Sequence, residues 1–384
     1  NMEAARSWGF KVSGQMKMLH SAGEVNDFIN YWDEERKTLP VATDGLVFKV
    51  NSLRQQLNLG FTAKSPRWAV AYKFNPENAC TRLHFVSFET GRMGTVTPVA
   101  NLEPVLLSGT VVKRASLHNA DIMRQLDIHE HDWVYVEKGG EIIPKITGVD
   151  KSRRESGASE VEFVTNCPVC GTPLVNNDGD AAWICPNKYG CKPQITGRIE
   201  HFCARRMMNI DGIGEETAEL LYDKGLVKNP ADIYDLTKDQ LSILERFGDK
   251  SAERIIKGLE DSKKVPFERV IYALSIPNVG ETTAKRLAKS VVSMDRLRGM
   301  SVEQLQAIPD VGPIVARCIF DFMRDPVNSD MISRLESHGL RMCLSEDRMQ
   351  PAGNALEGKS IVISGTFSRH SREQYKDCLL YPSD

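Results

Sequence analysis

The sequence predicts a multidomain α+β protein, and three observations support that prediction. Residues 77–150 are rich in Val, Thr and Gly and alternate apolar with polar residues between turn signals, which is typical of a small β-barrel or sandwich. Four cysteines fall within one window of 25 residues, which indicates a metal-bound module. A long segment, 195–343, has helical periodicity and repeats internally. A chain of 384 residues is long enough for about two to four such domains.

Composition and charge exclude several classes of protein. The 49 Lys and Arg residues nearly balance the 51 Asp and Glu residues, so the chain is not a histone-like binder that depends on bulk positive charge. A hydrophobic content of 41% excludes an acidic disordered tail. No apolar run of about 18 residues and no signal peptide is visible, so we expect no membrane span. The nine cysteines are an odd and sparse set, which argues against a secreted disulfide scaffold.

Five segments separate by their patterns. The first combines a helical stretch from Glu24 to Arg36 with two strand-like runs at 46–50 and 68–74. The chain opens on Asn1 rather than Met, so we expect it to be a piece of a longer product. The predicted boundaries are 1–76 for this first segment, 77–160 for the β-rich segment, 161–194 for the cysteine cluster, 195–345 for the helical repeats, and 356–384 for a last segment that starts like a strand and stops early.

The four clustered cysteines have the spacing of a structural metal site. Cys167 and Cys170 are separated by two residues, and Cys185 and Cys191 by five. Two such pairs supply four thiolates, which close a tetrahedral site and leave no open position for catalysis. Zinc is favoured over iron because nothing in the sequence requires redox chemistry. The alternative is that these cysteines are unpaired or form disulfides.

The helical segment repeats at four glycines. Gly214, Gly248, Gly280 and Gly312 recur at intervals of 34, 32 and 32 residues, each followed by an alanine three or four residues later. We interpret the unit as helix, tight turn, helix, and expect each glycine to supply unusual backbone angles. Free N–H groups at the following helix start bind phosphate without side-chain charge, so four copies are expected to hold a nucleic-acid backbone regardless of base sequence. The alternative is an array of helices for protein contacts.

Two strand-like runs in the first segment each carry a lysine among hydrophobic residues. Lys49 shares a strand face with Val47, and Lys73 shares one with Ala69 and Ala71. Small residues beside a lysine leave room for a ligand, so the two lysines are candidates to neutralise a phosphate during group transfer. The alternative is that each is a charge that protects an edge strand from aggregation.

Taken together, these features resemble the bacterial NAD⁺-dependent DNA ligase family. The resemblance extends from about residue 1 to 375, and the combination carries it rather than any single motif. The strings are DGLVFKVN (44–51), FTAKSPRWAVAYKF (61–74), GRMGTVTPVANLEPV (91–105), ASLHNAD (115–121), the four cysteines and the four helix-hairpin-helix turns. LEGKSIVISGTFS (356–368) is similar to the opening of a BRCT domain. The family order implies the C-terminal part of a nucleotidyltransferase (adenylation) domain, an OB-fold, a zinc finger, a helix-hairpin-helix domain and a truncated BRCT segment.

The resemblance also implies a reaction and its residues. A ligase of this family uses NAD⁺ to seal nicks between a 5′-phosphate and a 3′-hydroxyl in duplex DNA, through an adenylated intermediate and with Mg²⁺ (or Mn²⁺) assisting. Lys49, Lys73 and Arg36 correspond to residues that contact the cofactor, and Arg92 to an OB-fold arginine near the DNA or the AMP site. The four cysteines correspond to the zinc ligands and the four turn glycines to DNA contacts. The expected setting is replication and repair by a monomer at the nucleoid of the bacterial cytoplasm.

One departure from the family concerns the nucleophile. The family's nucleophilic lysine lies in a Lys-x-Asp-Gly motif, and none of the three Asp-Gly pairs here, at Asp44, Asp178 and Asp211, has a lysine two residues before it. We expect the motif and the nicotinamide-binding domain to lie upstream, and this chain not to adenylate itself. Two alternatives stay open. One is a non-catalytic DNA-binding scaffold, which has no need for two lysines on a buried strand face, and the other is a repair nuclease subunit, for which no carboxylate cluster is visible.

Overall fold

The computed structural model describes residues 2–41, 43–62, 65–74, 77–139, 143–176, 180–244 and 248–345. They divide into two compact units. The first contains the positions up to Ser87 together with Val99–His118 and Ile122–Val161. The second contains Phe88–Pro98, Asn119–Asp121 and the positions from Glu162 onward. The predicted BRCT-like segment 356–384 lies outside the described residues.

The N-terminal part of the first unit contains a small antiparallel ribbon. Its elements are α1 (Met2–Ser7), α2 (Ala22–Glu35), a 3-10 turn (Arg36–Thr38), β1 (Gly45–Lys49), α3 (Leu53–Leu59) and β2 (Ala69–Lys73). The hydroxyl of Ser21 accepts the Glu24 N–H at 3.2 Å and so fixes the start of α2. Gly45 lies opposite Lys73, and a Cβ at Gly45 would collide with the Tyr72 carbonyl, so only glycine fits there. Both predicted strands are confirmed to within one residue.

The β-rich segment forms a closed five-stranded barrel. Its elements are β3 (Asn78–Thr90), β4 (Val96–Leu107), β5 (Thr110–Ser116), α4 (Ala120–Leu126), β6 (Trp133–Gly139) and β7 (Ile143–Val149), with strand order β3-β4-β5-β7-β6. Alternate residues point inward, and Leu83, Val134 and Val136 are fully buried. Closure removes the free edges that an open sheet would expose. Of the two architectures that the sequence allows, the chain therefore forms the barrel.

The second unit is helical apart from its cysteine module and the tip of the β3–β4 hairpin. Its helices are α5 (Lys192–Cys203), α6 (Glu215–Asp223), α7 (Lys238–Ser242), α8 (Asp249–Ser262), α9 (Phe267–Ala273), α10 (Glu281–Val291), α11 (Met294–Gly299), α12 (Val302–Gln306), α13 (Pro313–Arg324) and α14 (Pro326–Ser337), with a 3-10 segment at Pro230–Asp235. One continuous core, from Ile195 to Leu344, joins them. Helix pairs α5–α6, α7–α8, α9–α10 and α12–α13 pack against each other, which confirms the predicted helix-turn-helix repeat. No described helix is long and apolar enough to cross a bilayer.

The recurring alanine explains why the repeats look alike. Ala218, Ala252, Ala284 and Ala316 each follow a turn glycine by four residues, and each is completely buried. Each also donates its N–H to the carbonyl of that glycine, at 2.9 to 3.1 Å, and so makes the first intrahelical hydrogen bond. A small side chain at this position allows the paired helix to approach closely.

The expectation that the four turn glycines supply unusual backbone angles is wrong. All four cap a helix with ordinary extended angles, φ −101°, −113°, −87° and −75° along the chain, and no backbone comes close to them. The left-handed residues lie two positions earlier, at Gly212 (φ +97°), Asn278 (φ +61°) and Asp310 (φ +62°). In the second repeat that position falls outside the described residues. The glycines instead leave open space where a Cβ would point.

A charged network supports the barrel. Arg154 donates two hydrogen bonds to the fully buried carboxylate of Asp132, at 2.9 and 3.0 Å, and a third to Asp127 at 3.0 Å. Hydrogen bonds from Lys151 and Arg154 lower the pKa of Asp127 to about 2. Pairing with two cations favours the ionised carboxylate in the folded state only.

This network predicts a pH dependence of stability. Since the pKa of Asp127 is lower in the folded than in the unfolded chain, its contribution is complete above the unfolded value near 3.9 and is lost as pH falls towards about 2. Between about pH 5 and pH 2, the melting temperature of D127N should fall less than that of the parent. The exposed D295N serves as control. A D127N protein as acid-sensitive as the parent would contradict the assignment.

Candidate nucleotide, metal and nucleic-acid sites

The two ribbon lysines lie on one face of the β1–β2 ribbon but at opposite ends. Lys49 is opposite Ala69, and Lys73 is opposite Gly45. Directly opposed residues in an antiparallel pair share a face, so both lysines are on the same side, about 13 Å apart along the strands. Val47 and Ala71 lie between them on that face. The structure therefore brings the lysines to one surface and not to one point.

Lys73 belongs to a charged cluster at its end of the ribbon. Its ammonium group pairs with the carboxylate of Asp44, and this hydrogen bond lowers the pKa of Asp44. Arg36 adds to that lowering, donates to the Thr43 carbonyl at 3.0 Å and stacks over Phe74 with its guanidinium 4.6 Å from the ring centroid. Of the three predicted cofactor residues, the fold thus groups Arg36 with Lys73 and leaves Lys49 at the far end.

The expectation that the ribbon lysines occupy a buried strand face is wrong. The Lys73 side chain is 59% exposed, and Lys49 and Ala71 are exposed as well. On the opposite face Val70 is 65% exposed, whereas Phe48 is half-buried and its ring lies edge-on to that of Phe28. A two-stranded ribbon covers neither of its faces by itself. Burial therefore does not separate an enzyme from a DNA-binding scaffold here, and the roles of the two lysines stay predictions.

The four clustered cysteines come together in space. Their sulfur atoms all lie within 4.8 Å of one another, with Cys167 and Cys191 at 3.8 Å and Cys170 and Cys185 at 3.5 Å. A tetrahedral zinc with bonds of about 2.3 Å holds its sulfurs about 3.8 Å apart, so the separations fit. A disulfide needs about 2.05 Å, so none of these cysteines is in one. The donor set suits a thiophilic ion in a closed site.

The protein alone does not favour four thiolates in this cluster. Burial raises the pKa of Cys185 to about 11 and raises that of Cys191 further. Cys170 also loses solvent, but hydrogen bonds with Thr172 bring its pKa down to about 6. Four sulfurs at these distances hold their protons unequally unless a cation compensates the charge. A divalent metal would supply that charge.

The tip of the β3–β4 hairpin packs against the cysteine module. The Cys185 N–H donates to the Gly94 carbonyl at 2.8 Å, and the Thr90 hydroxyl is 3.3 Å from the Cys167 sulfur. Gly94 has φ +83°, and a Cβ there would lie 2.6 Å from the Cys185 carbonyl, so only glycine fits. Buried Val96 and Leu174 complete a small apolar shell around the sulfurs.

Arg92, the predicted OB-fold arginine, lies in a cleft near this tip. It is half-buried, and its guanidinium donates to the Ser275 hydroxyl at 3.3 Å. The cleft has a volume of about 430 Å³ and is also lined by Glu200 and His201. Burial lowers the pKa of Arg92, and burial together with the charge of Arg92 lowers the pKa of His201 to about 4. A contact between Arg92 and DNA stays a prediction.

The four helices that follow the turn glycines start without a side-chain cap. No side chain accepts an N–H at the starts of α6, α8, α10 or α13. By contrast, five other described helical elements of the same unit are capped, by Asn229, Thr237, Ser293, Ser301 and Asp325. The other uncapped starts, at α5 and α9, have a cysteine and a proline as cap residues. The glycine turns thus present helix starts whose N–H groups the helix itself cannot satisfy.

Profiles of known families match nearly the whole described chain. An NAD-dependent DNA ligase adenylation domain matches residues 1–77, its OB-fold domain 80–158 and its C4 zinc finger domain 166–192. A SAM-like helix-hairpin-helix tandem matches 204–261, and a helix-hairpin-helix motif matches 269–332.

Curated relatives agree with these profiles. Proteins named DNA ligase from Bacteroides fragilis and Phocaeicola vulgatus are 55% and 56% identical over 379 residues, and one from Parabacteroides distasonis is 56% identical over 377. The chain belongs to the NAD-dependent DNA ligase family. These matches cover 98–99% of the chain and 57% of the length of each of these relatives. The predicted family and the multidomain α+β fold are confirmed.

The structure shows some site residues that the sequence analysis did not predict. Asp44 is the clearest, because it neutralises Lys73 from 29 positions away. Thr90 and Thr172 touch cysteine sulfurs, yet the string around Thr90 gave no indication of contact with a residue 77 positions later. Only the Asp44-Gly45 pair at the head of a strand could have suggested a polar group at that end of the ribbon.

The sulfur geometry predicts about one zinc per chain in protein purified without chelator. C185S should lose the metal and melt at lower temperature, because it removes one of four thiolates from a closed site. C343S, which changes an exposed cysteine outside the cluster, should keep the metal and the melting temperature of the parent. Elemental analysis and thermal melts measure these quantities. Parent protein without metal would contradict the assignment.

Proposed function

We propose that this chain is the nick-binding and AMP-transfer part of an NAD⁺-dependent DNA ligase. The ligase would join a 5′-phosphate to a 3′-hydroxyl in nicked duplex DNA. The observation that carries the proposal is the set of four uncapped helix starts, in a chain whose N-terminal part matches an adenylation domain. Open helix starts suit phosphate, and an adenylation domain suits transfer of AMP. The chain spans little more than half of its relatives, so the activity is proposed for the protein to which it belongs.

The ribbon would contact the adenylate. Arg36 and Lys73 offer two cations at one end of its open face, and Lys49 offers a third at the other. Cations placed where negative charge accumulates stabilise phosphoryl transfer. A phosphate that approached Lys73 would compete with Asp44, so the ion pair would hold the ammonium group in position until the nucleotide arrives.

The helical unit would hold the DNA backbone. Main-chain N–H groups donate hydrogen bonds to phosphates, and helix dipoles attract them, whatever the bases are. This mode reconciles DNA binding with a net charge of −2. It suits a ligase, which must act on nicks in any sequence. We further propose that the protein acts as a monomer at the nucleoid in the bacterial cytoplasm, during replication and repair.

The proposed metals have separate roles. Zinc, held by Cys167, Cys170, Cys185 and Cys191, would be structural, because four sulfurs leave no site for substrate. Mg²⁺ (or Mn²⁺) would arrive with the phosphates, since these ions prefer oxygen ligands. Bound zinc would fix the junction between the hairpin tip and the start of α5.

We expect no self-adenylation of this chain. Incubated with NAD⁺ labelled on its adenylate phosphate, the purified chain should acquire no label, because it lacks a Lys-x-Asp-Gly motif. The related DNA ligase of Bacteroides fragilis, expressed at full length, provides the positive control. Label on this chain would show that another residue serves as nucleophile.

We expect DNA binding that does not depend on base sequence. Nicked duplexes of unrelated sequence should bind equally, because main-chain contacts do not read bases. Gly280→Asp should reduce affinity several-fold while preserving or raising the melting temperature, since the new carboxylate would cap α10 and repel phosphate. Gly280→Ala adds only a methyl group in open space and serves as control. Fluorescence anisotropy and thermal melts give the two readouts. Sequence-dependent affinity, or an unimpaired Gly280→Asp variant, would contradict the proposal.

A further inference from the structure

A rigid corner between α5 and α6 exposes two consecutive arginines, Arg205 and Arg206. The next two residues, Met207 and Met208, are buried in the core and anchor the corner. Backbone hydrogen bonds close it, with the Asn209 N–H donating to the Ala204 carbonyl at 3.1 Å. Arg205 is exposed, and the Arg206 side chain is 81% exposed. The backbone is therefore fixed while both guanidinium groups face solvent.

A third arginine ties this corner to the neighbouring repeat. Arg269, on α9, donates from Nε to the Arg206 carbonyl at 3.1 Å and from Nη2 to the Arg205 carbonyl at 2.5 Å. The planar fork of a guanidinium fits two adjacent carbonyls in a way that an ammonium group cannot. Arg269 thus holds the arginine pair beside α9, the first helix of the third helix-hairpin-helix unit.

The corner lies next to the open start of α10. Arg206 Nη1 is 3.9 Å from a carboxylate oxygen of Glu281, the first residue of α10 after Gly280. Lys285 pairs with Glu281 at 2.9 Å, and the pKa of Glu281 is lowered by Lys285 first and then by Arg206 and Arg269. Several cations thus surround the one carboxylate at this helix start.

The start of α6 differs in charge from the start of α10. Its first turn carries two acidic residues, Glu215 and Glu216, with Glu219 one turn later on the same helix. Carboxylates at this position satisfy the helix dipole but repel an incoming phosphate. The turn at Gly280 therefore combines open N–H groups with more cations than carboxylates. At the turn at Gly214 carboxylates prevail, although Glu219 faces Lys192 and Asp211 faces Arg254.

We propose that Arg205 and Arg206 form a phosphate clamp for the DNA backbone at the Gly280 turn, with Arg269 as the residue that positions them. This inference rests on the proposed function, since it assigns the strongest backbone contact to one of the four turns. The structure favours DNA as the occupant, because the clamp adjoins a helix start that suits phosphate and belongs to a helix-hairpin-helix repeat.

The test compares charge-matched variants of the full chain on nicked duplex over a range of salt concentrations. R205A/R206A should lower affinity at least about tenfold and reduce the slope of log K against log salt by about two, since two phosphate contacts are lost. K224A/K228A removes the same charge at the far end of α6 and should change the slope much less. An R205A/R206A slope equal to that of the parent, or equal losses in both double variants, would overturn the clamp.

The positioning role needs its own variants. R269A and R269K should both weaken binding, because neither can donate to the two carbonyls as a fork. If R269K binds like the parent, charge alone matters and the positioning role is wrong. Circular dichroism and melting curves show whether each variant is folded. Should the folded parent fail to bind nicked duplex at all, the proposed function fails. If R205A/R206A binds nicked duplex as the parent does and loses only its binding of an acidic peptide such as polyglutamate, the clamp is wrong and the proposed function stands.

Discussion

The approach of four cysteine sulfurs to one another is the constraint on which the second unit depends. Three parts of the chain meet there. The tip of the β3–β4 hairpin contributes Thr90 and Gly94, the loop between the second cysteine pair follows, and α5 begins directly after Cys191. Burial raises the pKa of Cys185 while hydrogen bonds lower that of Cys170, so a bound divalent cation would favour all four thiolates together.

The loop between Cys185 and Cys191 extends this constraint to the last repeat. Lys188 pairs with Asp325 at 2.6 Å, and the Tyr189 hydroxyl donates to Asn328 at 3.3 Å. Asp325 also caps α14 by accepting the Val327 N–H at 3.0 Å. The cysteine module is thus connected to the first repeat by covalent continuity with α5 and to the fourth by polar contacts at the joint between α13 and α14. Both helix-hairpin-helix tandems are fixed relative to one small cluster.

Sequence patterns predicted the features that depend on residue spacing. They failed for features that depend on contacts between distant residues or on backbone angles. The cysteine intervals and the 32- to 34-residue repeat identify a metal module and paired helices because both are local chemistry. The pairing of Lys73 with Asp44 joins residues 29 positions apart, and the strand register that separates Lys49 from Lys73 is a property of the folded ribbon. The glycines were recognised correctly as turn markers, but the left-handed angle lies at Gly212, two residues before Gly214.

Repetition in sequence does not make the four helix starts equivalent. Each start has a glycine, a buried alanine four residues later and no side-chain cap, although Pro313 gives α13 one N–H group fewer than the others. Side chains then differentiate them. At α6 the first turn is acidic, and at α13 Pro313 and Ile314 leave it without charge. At α10 the single carboxylate of the first turn faces Lys285 of the same helix and the cations Arg206 and Arg269 of other elements. A chain of nearly neutral net charge can therefore direct a polyanion to one turn of the array, because local electrostatics act within about a Debye length of 8 to 10 Å, whatever the total charge.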